Sequence, residues 1–422
     1  MGWFDLMRGV ASAGGGTPTL PLDYDTYGFD QTNLVFDFNP MLGLASSGGL
    51  VDSWTDQKSG LVVSNTGSTR PDLISGAVNG KAAISGNGSN KVLNGLLGSN
   101  KTVKHIFIIT KSNFTTGTFA DYQGLFSPND LTGTPVIVSG SSGTTNLETF
   151  NLDTLAVDRV NTNSFLPLGK WRIVAGTSIA SSGATRDGWS ILSDRNFGAR
   201  FYNGQIMRVL TFSDMSSDNL LKVYHYLSRQ MGKTILYFDG NSIVYGQGVT
   251  TPFPITTVAN LGYEGYLQFN FGVSGQTTAM MQSDVSTQIL NFFTDYQKSI
   301  YIPFEITNDL ALGGTATDAY NRYVTLCQTA KAKGFKVVAC TVLPRSDGGG
   351  SFETNRQTVN TNIRTNWATF SDGLADFGAD TTIGVVGADS NTTYYQDGVH
   401  PTQAGHNILA SILYPVISGI SF

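Results

Sequence analysis

Cysteine is nearly absent: Cys327 and Cys340 are the only two in 422 residues, both in the second half. That excludes a disulfide-stapled scaffold. On a predicted helix and the strand that follows it, the two read as buried thiols rather than a bridge. Histidine is scarce as well, with four residues and no His-Glu-x-x-His pattern, so neither a zinc site nor any other cofactor is expected. Charge is thin, at 14% of residues against roughly 25% in ordinary soluble domains. The net charge of -5 and a pI near 5.3 argue against nucleic acid or an anionic membrane as partner. No apolar run reaches membrane-spanning length, so no insertion is expected. Gly232-Lys233-Thr234 lacks the upstream glycine of a phosphate-binding loop and precedes a strand, the wrong context for a nucleotide site.

The N-terminus, MGWFDLMRGVASAGGG, has an early Asp, a late Arg and no long apolar core, which makes it a poor secretory signal. Leu6 stands where a myristoylation signal needs Ser or Thr. The expectation is a cytoplasmic protein, or one that leaves the cell without a signal peptide, for instance within an assembled particle. Residues 1–29 combine a short amphipathic stretch (Trp3, Phe4, Leu6, Met7, Val10) with a Gly14-Gly15-Gly16 hinge, Pro18 and Pro21. They read either as a floppy tail or, preferably, as an anchor that inserts into a partner.

Gly (49 residues), Ser, Thr and Asn fill the place of the missing charge, a composition suited to β-rich proteins with uncharged polar surfaces. Neutral glycans fit that surface better than ionic partners. The length exceeds one ordinary core, and 25 Phe and 17 Tyr can fill two. Over 30–232 the pattern is short β-type runs between Gly/Asn/Ser turns: LVFDF (34–38), KAAIS (81–85), HIFIIT (105–110), TPVIVSG (134–140), WRIVAGTSI (171–179) and GQIMRVLTF (204–212). Strands at this spacing without intervening helices predict an all-β sandwich or jelly roll. A helix over 217–231 closes it, with Ser216 or Ser217 as cap and Gly232 as terminator.

Trp54-x-Asp56-x-x-Ser59-Gly60, then Arg70-Pro71, Asn79-Gly80 before a strand, and the closing strand-plus-helix resemble the concanavalin A-like (laminin G-like) lectin and glucanase sandwiches. The resemblance covers about half the chain and implies a glycan binder or a spacer. Trp54, Trp171 and Trp189 are candidates for stacking on sugar rings, though buried tryptophans are the commoner case in sandwiches. His105, on a strand, and His225, on the closing helix, read as structural.

From Lys233 to Phe422 strands alternate with helices: TILYFD (234–239), SIYIPFEIT (299–307), FKVVACT (335–341) and GLADFG (373–378), with helical stretches near 283–298, 316–333, 352–370 and 402–417. Alternation predicts a parallel sheet covered on both faces. The stretch Thr234 to Gly248 is its pivot. Its strand ends in a tight Asp239-Gly240-Asn241 turn that throws Ser242 out at the carboxyl edge, where α/β folds place their chemistry.

A serine hydroxyl needs a base, and the base needs an orienting group. His400 and His406 are the only histidines in this half. In Asp397-Gly398-Val399-His400-Pro401 a three-residue turn lets the Asp397 carboxylate reach one ring nitrogen, leaving the other for the Ser242 proton. Read blandly, the same residues are a surface turn that caps a helix. His406, on the last helix, reads as a packing residue. Oxyanion donors would be the Ser242 N–H, the Gly275 N–H in a Gly272-to-Thr278 loop, and Asn308 after the strand SIYIPFEIT.

Together, Gly240-Asn241-Ser242 with Gly246, then Gly275, then Asn308-Asp309, then Asp397-x-x-His400-Pro401 resemble the four blocks of SGNH (GDSL-type) hydrolases, in order and over about 190 residues. The resemblance implies a three-layer flavodoxin-like fold. It also implies a Ser242–His400–Asp397 triad, with Ser242, Gly275 and Asn308 around the oxyanion and no metal. Asn241 stands where the family has Asp, and Ile306 where the third block has Gly. No Gly-x-Ser-x-Gly is present.

The expectation is a serine esterase that removes O-acetyl or similar short acyl groups from a polysaccharide. Its setting would be the virion surface, as a phage tail or fibre component anchored through residues 1–29, with trimers among the assemblies this allows. Two rivals stay open: a non-catalytic glycan-binding or structural protein that keeps the fold, and a lipid or thioester hydrolase.

Overall fold

The computed structural model describes residues 27–422 apart from 129–136, 151, 179–182, 195–199 and 296. The segment 1–26 of the expected anchor and residues 134–136 of one expected strand lie outside that set. The described residues fall into two compact units. The first takes the described residues up to Leu155, with those of Ser164–Gly169 and Gly176–Asn219; the second takes those of Ala156–Asn163, Lys170–Ala175 and Leu220–Phe422. The helix read as closing the first half, Ser217–Met231, therefore straddles the division.

The first unit is a large antiparallel sheet of short strands, consistent with an all-β sandwich. Its hydrogen-bonded order is 147–150, 137–140, 123–128, 184–191, 93–103, 62–64, 50–55, 72–76, 80–85, 204–212 and 105–112. The strand 34–38 joins 204–212 from the side, and 44–47 joins 50–55. LVFDF forms its strand because Phe36 and Phe38 are fully buried against Trp54, Phe126 and Trp189. Asp37, between the two phenylalanines in sequence, is held by Arg208 through Nε–Oδ1 and Nη2–Oδ2 bonds of 3.0 and 2.9 Å. Neither side chain of the pair is exposed, so removing one partner costs about 3–5 kcal/mol.

The motifs read from sequence are structural here. Asn79 (φ 47°) and Gly80 (φ 75°) make the left-handed pair that turns strand 72–76 into 80–85. Asp56 accepts from the backbone of Lys58 and from the Ser59 hydroxyl, closing its own turn. Trp54 and Trp189 are wholly buried and Trp171 is nearly so, the first donating Nε1–H to the Asn39 carbonyl at 3.0 Å. None of the three offers a face to a sugar.

The second unit holds a five-stranded parallel sheet in the order 266–270, 234–240, 299–304, 336–340, 373–375, the second-first-third-fourth-fifth order of doubly wound folds. Strand Thr234–Gly240 is buried at every residue, as a central strand covered on both faces must be. One face packs Phe238, Ile302 and Phe304 against Phe253, Leu409 and Leu413. On the other, Tyr237 meets Phe269 and Phe335. The hairpin at 156–161 belongs to this unit: the Arg159 guanidinium lies 3.8 Å from the Phe269 ring centre and donates to the Gln268 carbonyl at 3.3 Å.

Helices Ala316–Lys333 and Gln403–Ser418 lie where the periodicity predicts. The helix expected near 283–298 runs from Thr278 to Gln288 instead, because Thr277 caps it early by accepting from Met280 N. Strand 266–270 and helix 253–260 escaped the sequence reading. The helix starts on Pro252 and Pro254 and carries two threonines, composition that reads as loop, although proline suits a first turn.

Candidate active site

The chemistry-bearing residues converge at the carboxyl ends of the first and third strands of the parallel sheet, the point where the strand order reverses. Gly240 ends the first strand at φ 153°, and an added Cβ there would lie 2.3 Å from the Phe304 carbonyl oxygen. Only glycine lets the chain turn against the neighbouring strand at this point. Asn241 then caps the short helix Ser242–Tyr245, its Oδ1 accepting from Ile243 N at 2.8 Å. Ser242 is fixed at the rim of the sheet, 8% exposed.

Its hydroxyl oxygen lies 2.8 Å from His400 Nε2, and His400 Nδ1 lies 2.7 Å from Asp397 Oδ2. The other Asp397 oxygen accepts from the backbone of Val399 (3.0 Å) and His400 (2.8 Å), so the turn holds its own acid in place. An ionised carboxylate only accepts, which puts the proton of His400 on Nδ1 and the lone pair of Nε2 toward the Ser242 hydroxyl. Partial burial raises the Asp397 carboxyl. The bonds from His400 N, the His400 ring and Val399 N outweigh that and hold it below the ordinary carboxylate range. Gln396 locks the turn further: its N–H donates to the His400 carbonyl (2.9 Å) and its amide to the carbonyls of Gln247 (2.8 Å) and Pro401 (3.0 Å).

Ser242, Gly275, Asn308, Asp397 and His400 all line one cleft of about 330 Å³. Gly275 is in the left-handed region at φ 80°, and an added Cβ would meet nothing within 4 Å. Its glycine therefore answers to backbone conformation rather than to crowding, a refinement of the reason read from sequence. The Asn308 amide has one orientation: Oδ1 accepts from Arg345 Nη1 at 3.0 Å, and Nδ2 donates to the Gln276 carbonyl at 2.9 Å. Arginine can only donate, so the Arg345 contact assigns the flip and turns the amide's N–H side away from the guanidinium.

Arg345, Asp347 and Glu305 were missed by sequence reasoning, and Asp309 was read only as the residue that follows Asn308 in its block. Arg345 forks onto Asp347 through Nε–Oδ1 and Nη2–Oδ2 bonds of 2.5 and 2.8 Å, and both residues line the cleft. Asp309 clamps the two donor loops: it accepts from Thr278 N, from the Thr278 hydroxyl and from Arg322. Arg345-Ser346-Asp347 follows the strand Lys336–Cys340, and only its place at a carboxyl end hinted at a role. His406 is fully buried, its Nδ1 accepting from Phe253 N at 3.1 Å, and burial pushes it down to about 4, which keeps it neutral. Cys327 and Cys340 are buried free thiols. Among the described residues no group of three His, Cys, Asp or Glu side chains is placed to hold a metal ion, and no helix is long and apolar enough to cross a membrane.

Residues 238–408 match the family model of the GDSL-like Lipase/Acylhydrolase family, which supports a GDSL-type hydrolase domain in the C-terminal part of the chain. No curated protein sequence matches the chain. Among solved structures, it is similar to a lipolytic protein of the G-D-S-L family from Veillonella parvula, at 19% identity over 44% of this chain and 100% of the other, with a TM-score of 0.39. An acetyl xylan esterase is similar at 18% identity over 44% and 100%, with a TM-score of 0.37. An acetyl-xylooligosaccharide esterase from Geobacillus is similar at 17% over 45% and 97%, with a TM-score of 0.36.

Proposed function

We propose that the second unit is a serine ester hydrolase that removes short acyl groups, O-acetyl above all, from a polysaccharide. The observation that carries the reading is the unbroken hydrogen-bonded chain from the Ser242 hydroxyl through His400 to Asp397, opening into a polar cleft. Ser242 attacks the ester carbonyl as His400 Nε2 takes its proton. His400 then protonates the leaving sugar oxygen, and water drawn through the same base releases the acyl group. The Ser242 and Gly275 N–H groups and Asn308 Nδ2 stabilise the oxyanion.

Substrate class is read from the lining. Besides the triad and oxyanion residues, the cleft presents Gln247, Ser274, Arg345 and Asp347, and among the described residues Val399 is the only aliphatic side chain that lines it. A long acyl chain needs an apolar channel to repay its desolvation, whereas a hydroxyl-rich sugar finds donors and acceptors here. That observation favours a carbohydrate ester over the lipid or thioester reading.

On the same reading the first unit is a concanavalin A-like jelly roll that binds glycan or spaces the enzyme. With Trp54, Trp171 and Trp189 in the core, its sugar contacts would rest on other residues. Residues 1–29 would anchor the protein, as a trimer or otherwise, in a phage tail or fibre at the virion surface. The low charge of the chain supports a neutral glycan as target.

The test is release of acetate from O-acetylated polysaccharides by wild type and Ser242→Ala, beside a series of p-nitrophenyl esters of rising chain length. The reading expects turnover to be highest at acetate and to vanish in the variant. Turnover that climbs with chain length would replace it with the lipid hydrolase, and none with any ester would leave the binding protein.

A further inference from the structure

Behind the cleft, the side chain of Glu305 is buried where the third strand ends. Its Oε1 accepts from Asn308 N at 2.7 Å, and its Oε2 accepts a short hydrogen bond from Asn241 Nδ2. Asn241 is itself buried and spends its own Oδ1 on Ile243 N. One carboxyl thus joins the residue before the nucleophile to the backbone of Asn308. An acid lies at one position and an amide at the other, and both carboxyl oxygens and the amide oxygen accept an N–H. A buried carboxylate group kept without a cation in contact is costly, and an apolar side chain would fill the space more cheaply.

We propose that Asn241 and Glu305 are a coupled positioning pair, a carboxyl and an amide that share one hydrogen-bond complement and set Ser242 against Asn308. The proposal rests on the reading of Ser242 as the nucleophile. Its physical core is countable. Position 305 must accept from Asn308 N, and position 241 must accept from Ile243 N. One N–H···O bond must join the two side chains, in either direction. The same complement is met when the groups are exchanged, with the acid at 241 and the amide at 305. The carboxylate at 241 then accepts from Ile243 N and from the new amide, whose oxygen accepts from Asn308 N. Neither single exchange satisfies it. Asn241→Asp sets two carboxyl groups against each other, and Glu305→Gln sets two amide N–H groups against each other.

Burial holds the Glu305 carboxyl well above its ordinary range, against the pull of the bonds from Asn308 N and Asn241. The charged groups acting on it are Asp309 on the following helix, which raises it, and Arg345 on the loop after 336–340, which lowers it. The rest of the small void beside it is lined by Ile243, Phe304, Ile306, Thr307, Val342 and Leu343, none titratable. A second carboxyl at 241 would resist ionising beside it. The labelling rate of Asn241→Asp relative to wild type should therefore fall as pH rises.

The experiment is the full exchange in the intact chain: wild type, Asn241→Asp, Glu305→Gln and the double variant. Each is measured for its thermal midpoint and for its rate of labelling by a fluorophosphonate probe. Each single variant should unfold several degrees lower and label about tenfold slower or worse, the size of losing one buried hydrogen bond. The double variant should recover most of both losses. A double variant whose losses are the sum of the singles, or singles indistinguishable from wild type, overturns the pair. Should wild type fail to label while the midpoints still couple, the pair stands and the esterase reading falls.

Discussion

At the scale of single residues, the proposed mechanism depends on where protons sit. Asp397 accepts three hydrogen bonds and stays ionised, which fixes the proton of His400 on Nδ1 and frees Nε2 for Ser242. Asp397→Asn keeps the shape but offers an N–H to the same ring nitrogen. Its turnover of a p-nitrophenyl ester should fall about a hundredfold or more with little change in KM, the cost of the wrong tautomer. Arg345 acts one step further out, by holding the Asn308 amide through Oδ1. Arg345→Ala should lower kcat by about 10-fold to 100-fold, less than the roughly 100-fold to 1000-fold of losing an oxyanion donor outright, and leave the thermal midpoint almost unchanged. Asp239 carries a prediction of its own. It is buried beneath the nucleophile turn, and desolvation raises it to about 7 even though the Tyr301 hydroxyl donates to it at 2.7 Å. A carboxyl raised on folding binds its proton more tightly in the native state. Its contribution is therefore complete below the unfolded value of 3.8 and is lost as pH rises toward about 7. The loss has an upper bound of about 4 kcal/mol. Urea unfolding at pH 4 and pH 8 should show Asp239→Asn gaining on wild type at the higher pH; equal differences at both would contradict it.

At the scale of elements, two loops and two turns make the site, and the sequence announces them unequally. The Gly240-Asn241-Ser242 turn and the Asp397-to-Pro401 turn are local: neighbours in sequence make the bonds that matter, so spacing alone reveals them. Strands such as Leu34–Phe38 and Gly204–Phe212 were legible for the same reason, as runs of β-branched and aromatic residues between turns. Arg345, Glu305 and the partners of Asp309 were not. Asp309 bonds to Thr278 and Glu305 to Asn241, partners 31 and 64 positions away, and no period or motif encodes such a meeting. Strand 266–270 was missed because it is short and lies between glycines and polar residues, yet pairing with 234–240 suffices to form it. Gly240→Ala should cost about 2 kcal/mol or more, since a new Cβ meets backbone that cannot retreat. Asp309→Ala should unhook the Gly275 loop from Asn308. In the heated or urea-treated protein both variants would unfold earlier than wild type, and a midpoint unmoved by Asp309→Ala would exclude the clamp.

At the scale of the whole molecule, the legible quantity was charge. Few ionic groups and a net charge of -5 leave little long-range field to steer a substrate. Raising salt roughly tenfold should change kcat/KM on a neutral acetylated glycan by less than about twofold, because screening has little to act on. The bare sequence order of strands and helices also revealed the all-β and α/β halves, whereas the assignment of 156–163 and 170–175 to the second unit could be read only from three dimensions. Every reading of this molecule's chemistry stands on Ser242, His400 and Asp397 forming a working nucleophile. Intact mass after exposure to a fluorophosphonate probe tests it most directly, on wild type and Ser242→Ala. Wild type should take one adduct and the variant none. A folded wild type that takes no adduct, or a variant that still takes one, would contradict it.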